Sequence, residues 1–212
     1  EIAQCLVGSE MCIRDRFATV VLGYMETIAH EVLKDEALAA EAASLKKEIH
    51  DAIESMAIVD NYYYGKVYAY EVDGYGQYML MDDANVPSLL AMDYLGYEAD
   101  DRQVVENTRN FVLSCANPYY YEGSCAKGVG SQHTKPGYIW HIALAIQGLT
   151  SKTKEEKLAI LNTMKNTDAG KHMMHEGFDV NDPANYTREW FSWANAMFCE
   201  LVLDYCDIRV AR

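Results

Sequence analysis

Between Lys171 and Trp190 the chain gathers His175, Glu176, Arg188 and Trp190 into a stretch with no helical or alternating hydrophobic period. A helix with a tryptophan-bearing face follows at once. Polar side chains on an irregular loop, held at the mouth of a rigid helix, are a common way to present reactive groups. A carboxylate such as Glu176 can accept a proton from water, and an indole can cover the apolar face of a sugar ring. These residues point to a sugar-cleaving site with Glu176 as its catalytic carboxylate. The competing reading is a surface loop with a solvated glutamate.

Two earlier segments carry residues of the same kind. Asp82, Asp83 and Asn85 close a long loop over residues 61–85, and His133 sits in a second over residues 118–136. Carboxylates and amides can take paired hydrogen bonds from vicinal hydroxyls, so Asp82, Asp83, Asn85, His133, His175, Arg188 and Trp190 are the candidate substrate-binding set. Each also has a plainer account. Asp83 or Asn85 can cap a helix, His133 can be a buried structural histidine, and Trp140 or Trp193 can be core. Lys127-Gly128-Val129-Gly130 is too short to read as a phosphate loop. No paired histidine–carboxylate spacing suggests a metal site, and no cofactor is expected.

Composition narrows the partners. The 212 residues are half hydrophobic and carry a formal net charge of −14. Phosphate backbones and anionic membranes would be repelled, whereas a neutral carbohydrate would not. Sixteen tyrosines against five phenylalanines suit wet pockets lined by amphipathic rings. The six cysteines show neither a Cys-x-x-Cys pair nor zinc-ligand spacing, which fits a reducing, cytoplasmic setting. No run is long and apolar enough to span a bilayer.

The elements that must position these loops are helices. Phe17, Val21, Tyr24, Ile28 and Val32 fall on one face, and Leu38, Ala42, Leu45, Ile49, Ile53 and Met56 on the next. Tyrosine-rich alternation with glycines over 61–81 suits a short β excursion, followed by a helix from about Pro87 through Tyr94. Asp100 or Asp101 can cap a helix burying Val104, Thr108, Phe111 and Cys115. Pro136 suits the first turn of a helix running to Leu149. Thr153 and Glu156 match a capping box for a helix with Leu158, Leu161 and Met164 inward. The last helix is expected to bury Trp190, Ala194, Met197, Leu201 and Tyr205. Helical hairpins joined by three long polar loops predict an all-α toroid, an incomplete (α/α)6 barrel of about three hairpins, rather than an ordinary bundle.

Three motifs carry a resemblance. They are Met81-Asp82-Asp83-Ala84-Asn85-Val86-Pro87-Ser88-Leu89-Leu90, then Gly130-Ser131-Gln132-His133-Thr134 with Tyr138-Ile139-Trp140, then Met174-His175-Glu176-Gly177-Phe178 with Tyr186-Thr187-Arg188-Glu189-Trp190-Phe191-Ser192-Trp193-Ala194-Asn195. In this order they resemble the C-terminal half of glycoside hydrolase family 125, metal-independent exo-acting α-1,6-mannosidases built on an (α/α)6 barrel. The pattern departs at Gln132 (proline expected), at Gly177 (serine expected), and at Lys171-His172 in a normally small, glycine-bearing turn.

The resemblance implies an inverting hydrolysis of terminal mannose on an oligosaccharide or N-glycan fragment, with Glu176 as the general base. Residues 17–212 would be half of the catalytic domain. Residues 1–16 are expected to be an unstructured or artefactual leader, since Ser9-Glu10-Met11-Cys12-Ile13-Arg14-Asp15-Arg16 resembles a translated sequencing-adapter junction. The family's general acid, an aspartate just upstream of the segment matching Phe17, would then be missing, leaving this chain weakly active or inactive. A different six-hairpin sugar enzyme (a lyase or phosphorylase) and a carbohydrate-binding module without turnover are the rival readings.

Overall fold

The computed structural model describes residues 12–73 and 75–208. These residues fall into two compact units, one of residues up to 80 with 95–111, the other of residues 81–94 with 112 onward.

In the first unit, α1 (Cys12–Ile28) runs into a π-helical turn over Ala29–Leu33 and is followed by α2 (Glu36–Met56). Lys34 turns the chain through the left-handed region at φ 56°, and Asp35 caps α2 by accepting the amide of Leu38 at 3.0 Å. Helix therefore begins five residues before the expected Phe17. Arg16 is buried, its guanidinium 4.5 Å from the Tyr68 ring centre. The rest of the expected leader, residues 1–11, lies outside the described residues.

The apolar stripe Phe17, Val21, Tyr24, Ile28 and Val32 has the expected period but is exposed, while α1 buries Thr19 and its extension Ala29. On α2, Ala42 and Ile53 are buried as expected, but Met56 is exposed. The tyrosine-rich segment forms two hairpins, β1 (Ile58–Asn61) with β2 (Gly65–Tyr68) and β3 (Glu71–Val72) with β4 (Tyr78–Met79). The next helix in the unit is α4 (Arg102–Val112), capped by Asp101, which accepts the amide of Gln103 at 2.8 Å. Its Val104, Thr108 and Phe111 are buried as expected, but Cys115 is exposed, as are Cys125, Cys199 and Cys206.

The second unit holds α3 (Met92–Leu95), α5 (His141–Leu149), α6 (Lys154–Asn166) and α7 (Ser192–Tyr205). Helices α5, α6 and α7 pack on one another. Ile142, Leu144 and Ile146 of α5, Ile160 and Met164 of α6, and Met197 and Leu201 of α7 are all buried. Burying each such side chain contributes about 1.5–3 kcal/mol. A Cβ at Gly148 would stand 2.6 Å from Leu201 Cδ2, so a larger residue there would require the Leu201 side chain to move. Thr153 caps α6 through the amide of Glu156 at 3.2 Å, but the Glu156 carboxylate turns to Gln147 instead of closing the box. Ile160 and Met164 carry the inward face, and Leu158 is exposed.

Strands replace helix or irregular chain in several places. β5 (Tyr120–Glu122) pairs with β6 (Lys127–Val129), and β7 (Tyr138–Trp140) forms a sheet with β8 (Gly177–Asp179) and β9 (Tyr186–Thr187). The helix expected from Pro136 thus starts only at His141, because the aromatic and β-branched run Tyr138-Ile139-Trp140 is taken into that sheet. The helix expected up to Tyr94 shrinks to one turn at Met92–Leu95. Trp190 lies before α7 and is exposed rather than buried by it. Among the described residues no helix is long and apolar enough to cross a membrane.

Candidate active site

All the candidate residues lie in the second unit. The first and second loops are joined by three polar contacts: Ala84 donates its amide to the Gly130 carbonyl at 3.0 Å, Ser131 donates its hydroxyl to Asp83 Oδ2 at 2.9 Å, and the Asn85 side-chain amide lies 3.5 Å from Ser131 Oγ. The other carboxylate oxygen of Asp83 accepts from the Asn85 backbone amide at 2.8 Å and from its side-chain amide at 2.7 Å. Asp83 is buried and fully engaged, which stiffens the loop that carries Asn85.

Asp82 faces inward. It is completely buried, and its two oxygens accept the amides of Leu89 and Leu90 at 2.8 and 2.9 Å. Burial pushes its carboxyl up to about 7, against the backbone amides that pull it down. In this structure Asp82 organises the turn over residues 88–90 and presents no oxygen outward. His133 is exposed, with its amide on Ser131 Oγ at 3.2 Å.

The second and third loops meet in the β7–β8–β9 sheet, where Trp140 stands opposite Gly177 and Gly177 opposite Thr187. A Cβ at Gly177 would approach the Trp140 ring to 2.9 Å, so a side chain there would require the ring to shift. The Trp140 indole donates to Thr134 Oγ1 at 3.0 Å, tying the second loop down again.

Glu176 immediately precedes β8, and four consecutive residues around it have their amides taken. Met174 donates to Asn195 Oδ1 at 3.1 Å and His175 to the His141 ring at 3.0 Å. Glu176 donates to the Thr187 carbonyl at 3.2 Å and Gly177 to Thr187 Oγ1 at 3.1 Å. A backbone held at every amide fixes the direction from which the Glu176 side chain projects. The Glu176 side chain is 15 % exposed, and Arg188 Nε stands 3.4 Å from its Oε1.

Arg188 is held in the left-handed region at φ 47°, as are Ala169 and His172 nearby. Such backbone in non-glycine residues is uncommon and tends to gather at functional loops. His175 is buried, stacks on Tyr186 with ring centres 3.9 Å apart, and sets its Nδ1 2.6 Å from the Glu189 carbonyl. A carbonyl only accepts, so Nδ1 carries the proton. Lys171 lies 3.0 Å from Glu189, and this cation holds the Glu189 carboxyl below its usual range.

The structure thus gathers Glu176, Arg188 and His175 in one loop, and Asp83 with Asn85 in another stitched to Ser131. Trp190 is 64 % exposed. The supports His141, Thr187 and Asn195 were not among the expected site residues. The sequence signal for His141 was a histidine leading into an apolar run, which reads equally well as core.

A solved structure of a metal-independent α-mannosidase from Streptococcus pneumoniae, in a non-productive complex with α-1,6-mannobiose, is 50 % identical with a TM-score of 0.89. The match covers 94 % of this chain and 47 % of that one. The meiotically up-regulated gene 157 protein of Schizosaccharomyces pombe is 46 % identical over 161 residues, 76 % of this chain and 32 % of that protein. The chain therefore spans less than half the length of these relatives. A bacterial glucoamylase complexed with acarbose matches at a TM-score of 0.70 and 14 % identity, covering 96 % of this chain and 34 % of that one. At that identity the likeness concerns the fold, and both solved neighbours are (α/α)6 barrels. The family model for metal-independent α-mannosidases matches residues 10–203, and the chain belongs to that family, glycoside hydrolase family 125.

Proposed function

We propose that this chain carries the base side of an inverting, exo-acting α-1,6-mannosidase site, with Glu176 as the general base. The observation that supports this most directly is the Glu176 carboxylate, mostly shielded, on a backbone pinned at four successive amides and beside Arg188. The carboxylate takes a proton from a water that attacks the anomeric carbon, and the glycosidic oxygen leaves from the opposite face. Asn85, Arg188 and Trp190 bind the terminal mannose of a mannose-containing oligosaccharide or N-glycan fragment. The α-1,6 linkage follows the disaccharide bound by the streptococcal relative.

An inverting pair needs a second carboxyl group about 6.5–9.5 Å from the base to protonate the leaving oxygen. Asp83 does not suit that role, because both its oxygens already accept hydrogen bonds. We place the acid outside the described residues, as the family resemblance implies, and expect this chain by itself to cleave mannobiose poorly. The loss of general-acid help is worth roughly 10²–10⁴-fold.

The test uses a substrate that needs no acid. A dinitrophenyl α-mannoside expels a stable phenolate, so the chain should hydrolyse it measurably while cleaving α-1,6-mannobiose slowly. Proton NMR should show β-mannose as the first product. Glu176→Gln should lower the rate by roughly 10²–10⁴-fold and leave sugar binding in place. Equal hydrolysis by the parent and Glu176→Gln would overturn the assignment, and binding without any turnover would favour a binding module.

A further inference from the structure

His141 has no role in the proposed chemistry, yet it lies directly behind the base loop. It is the first residue of α5, completely buried, with its ring 4.7 Å from Phe178 and 5.7 Å from His175 between centres. Its Nε2 is 3.0 Å from Thr167 Oγ1. That hydroxyl has the Thr163 and Met164 carbonyls within reach of its own proton at 2.9 and 3.3 Å, and with the proton there it accepts from the imidazole. That arrangement puts the ring proton on Nε2. Burial lowers the His141 pKa to about 3, which keeps the ring neutral and leaves Nδ1 as a lone pair.

Two backbone atoms of His175 lie near that lone pair, the amide nitrogen at 3.0 Å and the carbonyl oxygen at 3.1 Å. Only the amide is a donor. With the ring proton on Nε2 the amide contact is the hydrogen bond, and with it on Nδ1 the carbonyl contact would be.

We infer that His141 is a positioning residue for Glu176: its Nδ1 holds the amide of His175 and so sets the backbone from which the base projects. The inference rests on Glu176 being the base. Chemically, the Thr163 carbonyl, Thr167 hydroxyl, His141 ring and His175 amide form one directional relay that ends one residue before the working carboxylate. The neighbouring amides are held by Asn195 and Thr187, so loss of the His141 bond removes one fixed point without unpinning the rest.

Three substitutions separate the polar role from bulk. His141→Asn sets an amide oxygen where Nδ1 was and keeps an acceptor for His175. His141→Gln reaches the Nε2 position and leaves that amide unpaired, and His141→Phe keeps a ring with no polar atom. In the ¹⁵N-labelled full chain, ring spectra should report a neutral His141 protonated at Nε2. Exchange of the His175 amide should quicken about tenfold or more in the Gln and Phe variants, and stay near the parent rate in the Asn variant. Amides in α6 and α7 should be unchanged.

With the dinitrophenyl mannoside, kcat should fall about tenfold or more in the Gln and Phe variants with KM little changed, and recover in the Asn variant. An Nδ1-protonated His141, or equal exchange at His175 in all three variants, would overturn the inference. So would kcat losses that follow melting temperature alike in all three. The exchange readout needs no turnover, so it decides the role of His141 even if Glu176→Gln shows that the base assignment fails.

Discussion

Arg188 Nε stands 3.4 Å from Glu176 Oε1, joining a largely exposed guanidinium, 65 % accessible, to a largely shielded carboxylate. The asymmetry separates stability from function. An exposed cation contributes little to folding, so Arg188→Ala should shift the unfolding free energy by no more than about 0.5 kcal/mol. Turnover of the activated mannoside should nonetheless drop about tenfold or more, because the charge partner of the proposed base is gone. Paired thermal melts and steady-state rates check both halves.

Ser131→Ala should act the other way. It removes the hydroxyl that donates to Asp83 Oδ2 and that accepts the His133 amide. A buried carboxylate oxygen without a donor costs about 1–3 kcal/mol, measurable as a lower urea midpoint at unchanged m-value.

Gly130→Ala should be more damaging still. A Cβ there would lie 2.0 Å from the Tyr138 carbonyl and 2.9 Å from Tyr121 Cε2, and the first of these is backbone. The strand Tyr138–Trp140 must move away, breaking the Gly130–Ala84 hydrogen bond that joins the first two loops. A loss of about 3 kcal/mol or more is expected, seen as a large fall in melting temperature or in soluble yield.

Asp82 predicts a pH dependence of stability. Its folded pKa is raised from 3.8 to about 7, so between those values the folded chain holds a proton that the unfolded chain has released. This group's contribution is therefore fully present below about pH 4 and is lost as pH rises toward 7, by at most about 1.4 kcal/mol per pH unit. Urea unfolding of the parent and Asp82→Asn across pH 4–8 checks it. The difference between the two should shift against the parent as pH rises, and a flat difference would count against the raised value.

Asn195→Ala should couple both effects. The Asn195 side chain accepts the Met174 amide and donates to the Met174 and Phe191 carbonyls at 3.1, 3.1 and 2.8 Å. Losing it should cost about 1–3 kcal/mol and also slow the activated mannoside, whereas Asn195→Asp keeps the acceptor and should lose less stability than Ala.

The order and type of the candidate groups are legible in the chain because they are local. Glu176, Arg188 and Asp83 stand out wherever a polar cluster interrupts amphipathic helix, and the caps at Asp101 and Thr153 depend on residues three positions away or fewer. Strand content is not, because Tyr138-Ile139-Trp140 becomes a strand only when Gly177-Phe178-Asp179 lies beside it, nearly forty residues on. Likewise the stripe on α1 announced a helix by its period but not which side would face the core.

Asp82 and Asp83 are adjacent and chemically identical, so sequence gave no ground for separating them. The tertiary structure turns the first onto the amides of Leu89 and Leu90 and the second onto Ser131 and Asn85. His141 shows the same division most clearly. Its apolar surroundings in sequence say only that it is buried. Which ring nitrogen keeps the proton, and hence which backbone atom beside Glu176 it holds, is decided by partners 26 and 34 residues away that only folding brings within hydrogen-bond reach.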